Sequence, residues 1–532
     1  MVRRILLGVV GGVMAGVACG ARPSSVASDG AAAEGIVDAT IPQITTRTEL
    51  TAPNSSASPL FADDYRNYNT SAQTGNGNGD LVPRAISKLS VASLVPSATA
   101  IYVETQTWFC HLATNEAGSR LVPNARCGSH IDIGYNSDDP DHVQHMIADM
   151  ESRGVAGMFM DWSGKDSSHD ANASYYPTAT TTAHSRASDE VGTDAVYHVR
   201  AAAEASGFEF AVVEDEGITN CRNRWAGGCA CWPAYGAICD ETSQVISDLS
   251  YIRDHWAASP AYIRVGGKPV VMFFAPDYNA CPDPAQPSCQ HIDWAAVHQF
   301  VDDEAWIFEN KNGYGHAFSS GGFAWPGTTS YPGSDPSFGV AGVADYDAFT
   351  ATTTKQVYAG AFKGFDDAVT DGWNYGDGTH TRYIGQRCGK TWLATLAQVE
   401  HDIASHHAAL QLITWDDYEE GTELETGIDT CVRSIEASVT GSQLTWAVRY
   451  GKDLTGAASG SEDTIDHFVI WSSDDGEHLI RVGSDLVRDL TGALPHSFEL
   501  ADPSALVFVQ AVSKPFLANA LSAPIRRIPT SP

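Results

Sequence analysis

Leu410-Gln411-Leu412-Ile413-Thr414-Trp415-Asp416-Asp417-Tyr418-Glu419-Glu420 is an apolar run that breaks abruptly into acids, and its reading decides the fold. A run this short, bounded by polar residues, fits a strand buried on both faces better than a helix. The same texture recurs seven times towards the N-terminus, at residues 100–106, 156–161, 208–214, 269–275, 304–308, 321–325 and 357–362. These runs are continuously hydrophobic rather than alternating, as parallel strands covered on both faces should be.

Most of the intervals between them carry a helical period. Asp139-Pro140 opens one helix, with Asp139 as N-cap and Pro140 in the first turn. Val143, Met146, Ile147 and Met150 then fall on a single helix face. Residues 190–205, 242–256, 294–301 and 391–406 read as further helices. The connection between 308 and 321 looks too short for a full one. Eight strands alternating with helices predict an α/β chain folded as a (β/α)8 TIM barrel. The competing doubly wound sheet would want a Gly-rich phosphate loop after its first strand, and none follows residue 106.

The flanks read differently. Residues 1–19 resemble an export signal, with Arg3 and Arg4 ahead of an apolar stretch, and Cys19 stands where a bacterial lipoprotein carries its lipid. Lipid attachment at Cys19 and ordinary cleavage nearby are the two readings, and both place the protein in the cell envelope or outside the cell. Residues 20–95 read as a flexible linker and N-terminal extension. Residues 96–431 hold the barrel. Residues 432–532 read as a β-sandwich of fibronectin type III type, with strands at 439–449, 466–472, 478–482, 496–500 and 506–511. Trp446, Phe468 and Trp471 there are assigned to its core rather than to a sugar platform. No later segment is long and apolar enough to form a transmembrane helix.

Ten cysteines remain after Cys19, an even number that predicts disulfides in an exported chain. Cys110/Cys127, Cys281/Cys289 and Cys388/Cys431 are candidate pairs, and Cys221, Cys229, Cys231 and Cys239 would supply two more; the sequence does not fix this connectivity. A zinc site is the alternative for those four, but their spacing fits no common zinc pattern. The net charge of −33 argues against nucleic acid and anionic lipid surfaces as partners.

A TIM barrel keeps its active site at the C-terminal ends of its strands. The residues there are Trp108 after the first strand, Asp161 and Trp162 after the second, and Glu214 and Asp215 after the third. Trp325 follows the sixth, and Trp415, Asp416, Asp417 and Glu420 the eighth. Aromatic rings beside carboxylates suit a carbohydrate: rings pack on sugar faces, one acid protonates a leaving oxygen and another serves as base or nucleophile. Each Trp has an alternative place in the core, and each Asp an alternative role as a helix cap.

Residues Ile413 to Glu425 resemble the signature of glycoside hydrolase families 71 and 99, whose bacterial relatives carry roughly T-W-N-D-Y-x-E-G-T-x-I-E. Residues 134–139, 154–164 and 364–367 are similar to other segments of those enzymes. The resemblance implies a barrel enzyme acting on α-1,3-glucan or α-mannosides, with Asp417 and Glu420 as its catalytic carboxylates. Glu420 would be the general acid. Asp417 would be the base, activating water or the substrate's own 2-hydroxyl. Asp416 replaces the usual Asn, and Glu419 stands where one family has His. The expectation is a secreted or membrane-anchored glycoside hydrolase cleaving an α-linked polysaccharide. It needs no metal or organic cofactor, and acts as a monomer. The expected substrate-binding residues are Trp108, Asp161, Trp162, Glu214, Asp215, Trp325, Trp415 and Asp416. Two other readings stay open: a non-catalytic carbohydrate-binding surface lipoprotein on a hydrolase-like barrel, and a calcium site in the acidic loop.

Overall fold

The computed structural model describes residues 86–109, 135–162, 164, 188–215, 241–274, 292–309, 316–326, 354–367, 383–403, 409–454, 456–474, 480–501 and 506–525. Cys19, the linker up to residue 85, and all candidate cysteine pairs except Cys388/Cys431 lie outside these residues.

Eight parallel strands form a closed barrel: β1 (Ile101–Gln106), β2 (Gly157–Trp162), β3 (Glu209–Asp215), β4 (Lys268–Phe274), β5 (Ala305–Glu309), β6 (Gly321–Phe323), β7 (Gln356–Phe362) and β8 (Ala409–Ile413). Each pairs with the next, β8 pairs with β1, and β3 pairs directly with β4 to complete the ring. All eight fall within two residues of the runs read from the sequence.

Helices α1 (Pro140–Ser152), α2 (Ser188–Ser206), α3 (Glu241–His255), α4 (Trp294–Phe300) and α5 (Lys390–Ile403) fill connections between strands. Asp139 caps α1 by accepting from the Asp141 and His142 amides, and Val143, Met146, Ile147 and Met150 bury the face that the period predicted. Among the described residues, no helix is long and apolar enough to cross a membrane.

The period of two within a strand sorts its side chains. Thr105 reaches Met146 on α1, so it faces outward. Tyr102, Glu104 and Gln106 therefore face the barrel interior. Register carries the inward face to Phe159 and Asp161 on β2 and to Val213 on β3, with Asp215 two residues further on, and across the closure to Gln411 on β8. At the opposite end of β2 the strands approach so closely that a Cβ on Gly157 would lie 2.5 Å from the Glu209 carbonyl oxygen. Glycine is the residue that fits there.

Beyond the barrel, β9 (Val432–Thr440), β10 (Gln443–Tyr450) and β13 (Ser497–Glu499) form one antiparallel sheet. A second is built from β12 (Ile480–Val487), β11 (Ile465–Ser473), β14 (Leu506–Ser513) and β15 (Ala520–Leu521). Trp446 and Phe468 meet edge-to-face between them at 5.3 Å, and both are buried, as is Trp471, whose indole donates to Gln510. The single strand expected over 439–449 is instead the hairpin β9–β10, turning at Gly441 with φ +62°. A register shift between Val432 and Ser434 breaks the alternation of β9, which hid it from a period-two reading.

The Cys388–Cys431 disulfide, one of the candidate pairs, joins the segment before α5 to the start of the sandwich. Nearby, the Trp392 indole of α5 donates to the Pro515 carbonyl, and Phe516 packs edge-on to Trp392 and Trp415.

Candidate active site

The acidic loop leaves β8 and folds back over the C-terminal end of the barrel, tied to β1 at several points. The Trp415 amide donates to the Glu104 carbonyl. Asp416 turns its side chain to β1, where Oδ1 accepts from Thr105 Oγ1 at 2.9 Å and from the Gln106 amide at 2.8 Å. Its Oδ2 faces the Tyr135 hydroxyl at 3.5 Å. Thr105 and the Gln106 amide both donate to Oδ1, so this position needs an acceptor oxygen, which Asp supplies. Burial raises its pKa to about 7 against the pull of those hydrogen bonds.

Asp417 is held more tightly still. Its Oδ1 accepts from the amides of Glu419 at 3.0 Å and Glu420 at 2.8 Å, and its own amide donates to Thr414 Oγ1. Its Oδ2 accepts from Gln106 Nε2 at 3.2 Å. Desolvation first, then the charges of Glu420 and Glu419, push the Asp417 carboxyl above the usual carboxylate range. Below it, Glu104 is wholly buried and accepts from Gln411 Nε2 at 2.7 Å. Its pKa is raised by burial and then by Asp417, Glu420 and Asp215. Burial does the same to Asp161, aided by Asp215, Glu104, Asp417 and Glu420. Five carboxyls from β1, β2, β3 and the loop after β8 thus share one electrostatic environment.

The remaining sequence candidates divide. Trp108 donates its indole N–H to Glu419 Oε2 at 3.1 Å and packs with Phe109, Tyr418 and Tyr135 at the rim of the loop. Trp325 lies edge-on to Phe274 at the end of β4. Trp162 follows the inward Asp161 and so points out, stacked on Tyr251 and edge-on to Trp256, with its indole donating to Thr193. Glu214 pairs in register with Trp162 and stands on the same outer face, whereas Asp215 faces in. Trp415 is fully buried against Phe516 and beneath the Arg153 guanidinium.

Sequence reasoning missed Glu104, Gln106 and Gln411, because each reads as a polar interruption of a hydrophobic strand. The signal was present: Tyr102, Glu104 and Gln106 keep period two, and a buried strand with polar residues on one face points that face at something polar.

The loop also carries its own scaffold. Lys363, just past β7, forms an ion pair with Glu423 at 2.8 Å, and Glu425 accepts from the hydroxyls of Tyr418 and Tyr135. Burial, then Asp416, raise Glu425 to about 8. Among the described residues, no three His, Cys, Asp or Glu side chains converge to hold a metal ion.

No family model and no curated protein matches this chain. Solved structures similar to it include a GH99 endo-α-mannosidase from Bacteroides thetaiotaomicron, at 15% identity over 67% of this chain and 91% of that one, with a TM-score of 0.37. A glycoside hydrolase-like protein aligns at 10% identity over 65% of this chain and 90% of that one, TM-score 0.38. An endo-β-1,4-mannanase double mutant from Cellulomonas fimi aligns at 11% identity over 82% and 96% respectively, TM-score 0.28. At scores this low the likenesses carry no weight. The barrel stands on its own strand pairing and the site on its own side chains.

Proposed function

We propose that this protein is a glycoside hydrolase that cleaves an α-linked polysaccharide, of α-1,3-glucan or α-mannan type, by acid/base catalysis between Asp417 and Glu420. The observation that supports it is the gathering of Asp417 and Glu420 with Glu104, Asp161 and Asp215 at the C-terminal end of a closed (β/α)8 barrel, where barrel enzymes do their chemistry. The motif resemblance of residues 413–425 supplies the substrate class.

The two carboxyls suit different roles. Asp417 accepts three hydrogen bonds, which offset part of the rise that burial imposes on its pKa and fix its direction, as a base or nucleophile requires. That leaves Glu420 to carry the proton to the leaving oxygen. Trp108, Asp161, Asp215 and Trp325 contribute sugar contacts in this reading. Trp162, Glu214, Trp415 and Asp416 brace the strand ends from outside or beneath. The protein acts outside the cytoplasm as a monomer, with Cys19 as its lipid attachment where one is used.

The test is digestion of α-1,3-glucan, α-mannan and a panel of other α-glycans by the mature protein, with products identified by mass. Release of a defined oligosaccharide series from one of them supports the reading. Inertness towards the whole panel, with glycan binding retained, would replace it with the binding-lipoprotein reading.

A further inference from the structure

Side-chain oxygens at the inner end of the barrel that accept no hydrogen bond among the described residues include Glu104 Oε1, Gln106 Oε1 and Asp161 Oδ1. Their side chains are almost wholly buried, with residue exposures of 0%, 3% and 4%. Gln106 and Asp161 are register partners on the inward faces of β1 and β2, one pleat beyond Glu104. Gln106 spends its Nε2 on Asp417, which commits its Oε1 to being an acceptor. Buried acceptors left without donors are costly, and a ligand that brings donors removes that cost.

The donor has a definite character. A neutral hydroxyl brings one hydrogen and no charge, so it serves one acceptor and leaves the crowding of the carboxyls unrelieved. An ammonium brings three hydrogens, no lone pair and a positive charge. A metal ion would need several ligands converging at coordination distance, and among the described residues no three His, Cys, Asp or Glu side chains do so. An ammonium tolerates a wider cage.

We propose that this end of the barrel binds a sugar carrying a free, protonated amine, with Glu104, Gln106 and Asp161 as its acceptors. The sugar rests on the glycosidase reading above; the amine rests on the three oxygens. The net charge of −33 would draw such a cationic glycan from solution over distances that a neutral one would not feel. Burial and the facing charges of Asp215, Asp417 and Glu420 hold Glu104 and Asp161 above the usual carboxylate range. A cation arriving among them therefore displaces protons, whereas a neutral sugar does not.

Isothermal titration of the mature protein with glucosamine, galactosamine, their N-acetyl forms, glucose, galactose and ethylamine tests this. Each titration is run in two buffers of different ionisation enthalpy. The amino sugars should bind about tenfold or more tightly than the neutral hexoses, the yield of one charge-assisted hydrogen bond, and should release protons. Asp161→Asn should remove most of that preference; should that variant fail to fold, the wild-type ratio decides alone. Neutral and amino sugars binding within about threefold of each other would overturn the inference, as would ethylamine matching the amino sugars. Cleavage of a neutral glycan without amine preference would overturn it and leave the hydrolase standing. Amine preference without cleavage of any glycan would do the reverse.

Discussion

Lys363 Nζ lies 2.8 Å from Glu423 Oε1, with both side chains wholly shielded from solvent, and the contact fastens the acidic loop to the end of β7. Asp417 and Glu420 sit on the segment between that contact and β8. A buried ion pair is a weak source of net stability but a strong constraint, because removing one partner strands the other's charge. Lys363→Met should therefore cost about 3–5 kcal/mol in urea unfolding. The double variant Lys363→Met/Glu423→Leu should recover much of that loss. A double variant no more stable than the single would show that the pair does not act as a unit.

The pH dependence of catalysis should betray the crowding around Asp417. A base works when ionised, and this base has its pKa raised by burial, then by Glu420 and Glu419. The acid limb of the kcat/KM profile should accordingly lie above the ordinary carboxylate range. Glu419→Gln removes one of the raising charges, so its profile should move to lower pH while Trp108 keeps a hydrogen-bonding partner. A limb that stays in place would mean that Asp417 is not the titrating base.

Stability should fall as pH rises from about 4 to 8, and the sign follows from which state holds more protons. Asp416 at about 7 and Glu425 at about 8 both titrate higher in the fold than in the unfolded chain. Between the unfolded and folded values the native state keeps protons that the unfolded state has lost. Stability is thus full below the unfolded pKa and declines until the folded pKa is passed, by at most about 1.4 kcal/mol per pH unit for each group. Asp416→Asn should flatten this slope, since an amide can accept from Thr105 and Gln106 and donate to Tyr135. Chemical denaturation of wild type and variant from pH 4 to 9 checks it; identical slopes would contradict it.

The Cys388–Cys431 disulfide closes a loop of 43 residues that contains β8 and the whole acidic loop. Cys388→Ala/Cys431→Ala should lose about 2–4 kcal/mol by relaxing the unfolded chain. Urea unfolding with and without the bridge measures this, and an unchanged midpoint would exclude it as a stabilising link.

Much of this architecture was legible in the sequence, for a physical reason. A parallel strand covered on both faces has to be apolar throughout, so each of the eight barrel strands announced itself as a short hydrophobic run. Cysteine parity predicted disulfides and made Cys388/Cys431 one candidate pair, without fixing the connectivity. The sandwich was harder, because β12 carries Gly483, Ser484 and Asp485 and is largely exposed, and β9 loses its alternation at a bulge. In the site, the motif resemblance named the carboxylates but not the direction of each side chain. Trp162 directly follows the inward Asp161, so one pleat decides that the acid faces the barrel and the indole faces the helices. Trp415 likewise turns to Phe516, a contact 101 positions away in the chain. Glu104, Gln106 and Gln411 stayed hidden because a strand's polar face means something only once the barrel has closed around it.

The central claim is that Glu420 delivers a proton to the leaving oxygen, and the most direct measurement compares Glu420→Gln with wild type on two kinds of substrate. One is the glycan that the wild type cleaves. The other is an aryl glycoside of the same sugar whose phenolate departs without protonation. The account predicts a loss of about 10²–10⁴ in kcat/KM on the glycan and a far smaller loss on the aryl glycoside. An equal loss on both, or none on the glycan, would contradict it.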